Sequence, residues 1–205
     1  MAEVTHGLRS LLAIPTIYNL FNTLIGDTAY RTTMVREYIR PEPGERVLDI
    51  GCGPGNMLPF LGAVQYAGFD PNQHYINAAH ARFGGHGTFV CDTVKESTGE
   101  RYTNMDLVLA LGVLHHLNDH DASVLFRVAH SILRPGGRLV TLDGCYTKDQ
   151  SSLARFAISR DRGRNVRTKD GYMRLGQCVF SQMVATIRHD MIRIPYTHII
   201  IKCTK

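Results

Sequence analysis

The sequence predicts an α/β protein, a largely parallel sheet with helices on both faces and an antiparallel strand at one edge. Three observations point there. Short apolar runs at 47–50, 65–69, 87–91, 105–110 and 138–142 alternate with helical stretches, the rhythm of parallel strands joined by crossover helices. The first run ends in a glycine-rich turn, Gly51-Cys52-Gly53-Pro54-Gly55. The last two runs, 183–192 and 197–203, lie so close around Pro195 that they can pair only as a hairpin.

With 205 residues and 44% hydrophobic content, the chain supports one domain with a sizeable core. Its formal net charge is +5. Residues 151–174 account for that excess, since Arg155, Arg160, Arg162, Arg164, Arg167, Lys169 and Arg174 face only Asp161 and Asp170. So local a charge argues for a local anionic contact or a solvated loop, not for a chain that coats nucleic acid. Five widely spread cysteines form no Cys-x-x-Cys pair and fit a reducing cytosol. The apolar stretch 8–25 is interrupted by Pro15, Asn19 and Asn22 and lacks a preceding cationic cluster, unlike a signal peptide. It also falls short of the ~20 residues of a membrane helix. A cytoplasmic protein without a membrane partner is expected; the oligomeric state stays open.

Taken in order, residues 8–40 read as two helices broken near Gly26-Asp27. In the second, Met34, Val35, Tyr38 and Ile39 fall at helical spacing, and Pro41-Glu42-Pro43-Gly44 stops it. Val47-Leu48-Asp49-Ile50 is a buried strand. The glycines after it can take positive φ and let a ligand approach the backbone. Met57-Leu58-Pro59-Phe60-Leu61 then reads as a helix start whose free N–H groups face that loop. A second strand ends at Asp70-Pro71, a helix spans 75–83, and a third strand ends at Asp92. The fourth, 105–110, leads into Leu111-Gly112-Val113-Leu114-His115-His116-Leu117. Asp121 is the expected N-cap of a helix with Val124, Leu125, Val128, Ala129, Ile132 and Leu133 on its apolar face. Pro135-Gly136-Gly137 ends that helix before the fifth strand.

Ligands of open parallel sheets bind beyond the carboxyl ends of the strands. Gly51 to Gly55, Asp70, Cys91-Asp92 and Leu111 to His116 occupy four such ends, so they are expected to meet in one cleft. Asp70, nineteen residues after Gly51, can accept hydrogen bonds from both hydroxyls of a ribose, or cap the helix that follows it. The dinucleotide fingerprint requires Gly or Ala where this chain has Asn56, which favours a nucleoside without a pyrophosphate.

Val47 to Gly55 resembles the signature loop of the class I S-adenosylmethionine-dependent methyltransferases, and Asp70 matches that family's acid after the second strand. Val113-Leu114-His115-His116-Leu117 and Leu133-Arg134-Pro135-Gly136-Gly137-Arg138-Leu139 resemble its stretches after the fourth strand and before the fifth. The resemblance covers residues 46–143. It implies a Rossmann-like seven-stranded sheet with the last strand antiparallel, and S-adenosyl-L-methionine as cofactor. The domain would divide into an N-terminal helical cap (1–43), a cofactor-binding core (44–143), a substrate-facing segment (144–182) and a terminal hairpin (183–205). It further implies that Gly51 and Gly53, in the loop with Asp49 and Cys52, approach the methionine part, with Leu111 near it. Asp70, beside Pro71, would hold the ribose, and Asp92 the adenine amino group, with Cys91 or Thr93 flanking the ring. Tyr18 and Arg31 are candidates to close over the cofactor, or structural residues.

Methyl transfer is an in-line displacement that asks the protein mainly for alignment and exclusion of water. A hydroxyl acceptor gains from a base, for which His116, His115 and Asp143 are candidates; a packing role for His116 is the alternative. His116, Asp119 and His120 invite a metal reading, but a turn at Asp121 would misplace them, so no metal is expected. The acceptor should meet residues 145–182, where Arg160 to Arg167 either clamps a phosphate or carboxylate or forms a solvated loop. Leu111-Gly112-Val113-Leu114 replaces the Asn/Asp-Pro-Pro-Tyr of the family's amino-methylating nucleic-acid and protein-glutamine enzymes. The expected acceptor is therefore a small molecule, such as a sugar, a quinone-like ring or another biosynthetic intermediate, methylated on oxygen, nitrogen or carbon. An RNA-modifying enzyme using residues 155–174, or a non-catalytic cofactor-binding subunit, are the alternatives.

Overall fold

A computed structural model describes residues 27–161 and 163–205. Its strands are β1 (Arg46–Ile50), β2 (Gln65–Asp70), β3 (Gly87–Cys91), β4 (Met105–Leu111), β5 (Leu133–Tyr146), the two-residue β6 (Arg167–Thr168), β7 (Gln182–Arg188) and β8 (His198–Thr204). Helices α1 (Asp27–Thr33), α2 (Gln73–Phe83), α3 (Thr98–Arg101), α4 (Asp119–Ile132), α5 (Ser152–Ser159) and α6 (Lys169–Gln177) connect and cover them. A six-residue π-helical turn, Met34–Ile39, continues α1. The strand order is β3-β2-β1-β4-β5-β8-β7, with β6 paired to β5 off this path. Pairings among β1 to β5 are parallel, and β8 runs antiparallel to both β5 and β7. The order reverses between β1 and β4, which puts a crevice at their carboxyl ends.

Period-two alternation explains why the sheet is buried on both faces. Leu48, Ile50, Val108, Ala110, Ile199 and Ile201 pack with Leu125, Phe126, Ile132 and Tyr172 on one side. Val47, Leu107, Leu109, Val140 and Ile200 pack with Met34, Ile39, Ile76 and Ala79 on the other. Full burial of each aliphatic side chain contributes about 1.5–3 kcal/mol, so the central strands anchor the fold.

Several expectations are corrected. The segment after the glycine loop is a three-residue 3-10 turn, Leu58–Phe60, not the start of a helix, because only a few residues separate the loop from Gly62. A turn this short provides no helix dipole for the loop. The cap of α4 is Asn118, whose side chain accepts the Asp121 amide at 2.9 Å. Asp121 sits three residues into the helix and takes the Asn118 side-chain amide at 3.1 Å, a reciprocal capping arrangement. The fifth strand reaches Tyr146 because β8 pairs with it as far as Gly144 and β6 pairs with Cys145 and Tyr146. Nine residues, 189–197, join β7 to β8, longer than the expected short turn around Pro195. The first helix expected within 8–40 lies outside the described residues.

Candidate functional site

At the carboxyl ends of β1, β2, β4 and β5 lies a cleft of about 1000 Å³. Its wall begins at the tip of β1, where the chain turns back over the sheet edge. Gly51 and Cys52 both donate their amides to Phe69 O, at 2.8 and 3.1 Å, tying the loop to β2. Gly51 (φ +71°) and Gly53 (φ +54°) occupy the left-handed region that side chains disfavour. A Cβ on Gly51 would fall 2.6 Å from Val113 Cγ2, whereas one on Gly53 would meet nothing within 4 Å and stand in the cleft.

Asp70, 8% exposed at the tip of β2, accepts the Gly53 amide at 3.1 Å and the Asn72 amide at 2.8 Å. The α2 cap is Asn72, which accepts the His74 amide at 2.9 Å, so Asp70 is not that cap. Asp49 lies beneath the loop and accepts the Tyr66 hydroxyl at 2.7 Å. Burial pushes its carboxyl up to about 7 against the opposing effects of Tyr66 and Arg31. Arg31, itself buried, contacts Met57 Sδ at 3.7 Å. Beyond β3, Asp92 binds Lys95 Nζ at 2.9 Å, and that lysine holds its carboxyl below the usual range.

The opposite end is polar and partly buried. His115 Nδ1 lies 2.7 Å from Asp143 Oδ1, and Nε2 lies 3.5 Å from Asp161 Oδ1. Burial alone would lower the His115 pKa, but hydrogen bonds to Asp143 and Asp161 carry it to about 9. The imidazole is therefore cationic at neutral pH, while His115 holds the Asp161 carboxyl well below its ordinary value against burial. The His116 ring stands 4.2 Å from that of His115. Tyr196 donates to Asp161 at 2.5 Å. His198 is kept neutral by burial, which lowers its pKa to about 4.

Of the residues singled out from the sequence, Asp49, Gly51, Cys52, Gly53, Asp70, Pro71, Asp92, Thr93, Leu111, Arg31, His115, His116 and Asp143 all line this cleft. Cys91 does not; its thiol faces Pro71 O at 3.5 Å. Tyr18 lies outside the described residues. In the basic segment, Arg160 lines the cleft, but Arg167 is engaged within the fold by Asp119, Leu114 O and Leu117 O. Tyr30, Asp161, Tyr196 and His198 were missed as site residues. The one available signal was Asp161, a lone acid among the arginines of 160–167.

A family model described as a methyltransferase domain matches residues 28–173. Among curated relatives, phosphoethanolamine N-methyltransferase 1 of Arabidopsis thaliana is 27% identical over 160 residues, covering 75% of this chain and 32% of that protein. Ubiquinone biosynthesis O-methyltransferase of Bradyrhizobium sp. is 43% identical over 104 residues, 47% of this chain and 39% of that protein. The chain thus spans about a third of the length of these relatives. A solved structure of Haemonchus contortus phosphoethanolamine N-methyltransferase 2, with phosphomonomethylethanolamine and S-adenosylhomocysteine, superposes with a TM-score of 0.74 at 15% identity. That match covers 97% of this chain and 59% of the other.

Proposed function

The chain belongs to the methyltransferase-domain family, and from that premise we propose that it is an S-adenosylmethionine-dependent methyltransferase acting on a small-molecule acceptor. The observation that carries this reading is Asp70, set at the tip of β2 against a glycine loop whose backbone borders the cleft. When bound, S-adenosylmethionine supplies an electrophilic methyl group on a sulfonium. Asp70 accepts the ribose hydroxyls, and Asp92 with Thr93 borders the adenine. Gly51 and Gly53 leave room for the methionine portion, beside Asp49, Cys52 and Leu111. Arg31 closes the cleft from α1. The bare loop, with no long helix following it, suits a ligand without phosphates there better than a pyrophosphate.

Ile192, Ile194 and Tyr196 border the other end and shield the reacting atoms from water. His115 keeps its own proton up to about pH 9, so where the acceptor is a hydroxyl we assign the base role to His116. Two of the relatives are named for phosphoethanolamine and ubiquinone biosynthesis, which supports a low-molecular-weight acceptor, against one of Mus musculus named as a probable tRNA methyltransferase. The internal engagement of Arg167 weakens the case for an RNA-binding strip. Among the described residues no helix is long and apolar enough to cross a membrane. Free cysteines at 52, 91, 145, 178 and 203 fit the cytoplasmic placement.

The test is incubation of the purified chain with methyl-labelled S-adenosylmethionine and either a metabolite extract or total RNA. Label in a small molecule, with release of S-adenosylhomocysteine, is expected. Label confined to RNA, or no transfer in either arm, would overturn the reading.

A further inference from the structure

A connected set of side chains at the His115 end of the cleft has no part in holding a nucleoside. Asp161, just past α5, accepts the Tyr196 hydroxyl at 2.5 Å through Oδ2 and the Gly163 amide at 3.0 Å through Oδ1. The same Oδ1 faces His115 Nε2 at 3.5 Å, while Asp143 takes the Nδ1 side of the ring at 2.7 Å. β5 and the connection after α5 thus meet on one imidazole, and the approach to β8 joins them through Asp161. Backbone contacts follow the same path: Asn165 donates to His115 O at 3.0 Å, and Arg167 reaches Leu114 O and Leu117 O. Gly163 packs so closely that a Cβ there would overlap the His115 ring.

The two carboxylates are not equivalent. Asp143 is fully enclosed and accepts both the His115 ring and the His115 amide, so it fixes the ring's orientation. Asp161 is 24% exposed, and its 3.5 Å contact is longer and weaker than the bond from Asp143. That makes it the contact that can open.

We propose that Asp161 is a positioning residue that holds the His115 ring against Asp143 and latches residues 163–168 onto the acceptor end of the cleft. The identity of that end rests on the methyltransferase reading; the latch can be tested without it. Asp161→Asn keeps the shape and removes the charge, while its single amide oxygen can still accept from only one of the Tyr196 hydroxyl and the Gly163 amide. Tyr196→Phe removes only the hydroxyl that aims the carboxylate, and decides the matter alone if the first variant does not fold.

The measurements on each full-length variant are the titration of the His115 ring by nitrogen NMR and the rate of tryptic cleavage at Arg160 and Arg164. For Asp161→Asn the His115 midpoint should fall by about one pH unit or more, since one of two neighbouring charges is lost. Cleavage should quicken about tenfold, equivalent to ~1.4 kcal/mol of lost latch energy. Calorimetry with S-adenosylhomocysteine on the wild-type chain reports separately on the methyltransferase reading. Tyr196→Phe should move the midpoint and the cleavage rate in the same directions by less. An unchanged midpoint overturns the proposal, even with faster cleavage, which would mark a merely structural contact. Failure of the wild-type chain to bind S-adenosylhomocysteine would instead strike the methyltransferase reading, leaving the other two measurements to judge the latch.

Discussion

Asp70 Oδ2 accepts the Gly53 amide at 3.1 Å while its Oδ1 accepts the Asn72 amide at 2.8 Å, so one carboxylate joins the glycine loop to the start of α2. Asp70 is thereby both oriented and kept acceptor-rich toward the cleft.

Replacing Asp70 with Ala should weaken S-adenosylhomocysteine binding at least tenfold, because a hydrogen bond to a charged group contributes about 1.5–3 kcal/mol. Calorimetry on the two proteins decides it. Equal affinities would remove the ribose assignment.

Gly51 and Gly53, both left-handed, should fail differently when changed to Ala. For Gly51→Ala, roughly 1–2 kcal/mol of backbone strain is compounded by the approach to Val113, so the urea midpoint should drop. Gly53→Ala has the backbone strain without the clash, and its methyl group stands in the cleft. Cofactor affinity should fall further in Gly53→Ala than its stability loss accounts for. Identical losses in both variants would contradict the assignment of Gly53 to the cleft wall.

Arg138 anchors the turn after α1. It contacts Glu45 at 2.7 and 2.9 Å and also donates to Ile39 O and Arg40 O. Burial would raise the Glu45 carboxyl, but the Arg138 hydrogen bonds bring it below its ordinary value. Arg138→Ala leaves that acid enclosed with the Glu42 amide but no counter-charge, at a cost of about 3 kcal/mol. Urea denaturation measures it, and a change below about 1 kcal/mol, the level of an exposed pair, would show that the contact is not structural.

His115 predicts a specific pH dependence. Its folded pKa of about 9 lies above the unfolded value of ~6.5, so the native state binds the proton more tightly. The resulting stabilisation is fully present below pH ~6.5 and is lost as the pH rises through about 9. The stability difference between wild type and His115→Gln, measured by denaturation, should shrink by an amount on the order of 3 kcal/mol between pH 6.5 and 9.5. A flat difference between the two proteins would contradict the imidazolium assignment.

Much of the cleft wall beyond β1 and β2 was legible because its determinants are local. Gly51, Gly53, Asp70 and Asp92 each sit at the end of an apolar run, and a strand tip can be located from one such run alone. The capping error at α4 was also local: Asn118, three residues before Asp121, provides the reciprocal pair. The His115 end was hidden for a different reason. Asp161 and Tyr196 lie 46 and 81 residues from His115, on connections whose paths no periodicity specifies. Cys91 shows the limit of reading strand ends by position, since the side chain at the tip of β3 turns toward Pro71 instead of the cleft.

The central claim is that the cleft beyond β1, β2 and β4 holds S-adenosylmethionine. Titration of the full chain with S-adenosylhomocysteine in a calorimeter, beside a matched titration with NADH, tests it most directly. Saturable one-to-one binding of the first, with no heat from the second, is the expected result. Saturable binding of NADH with none of S-adenosylhomocysteine would contradict it.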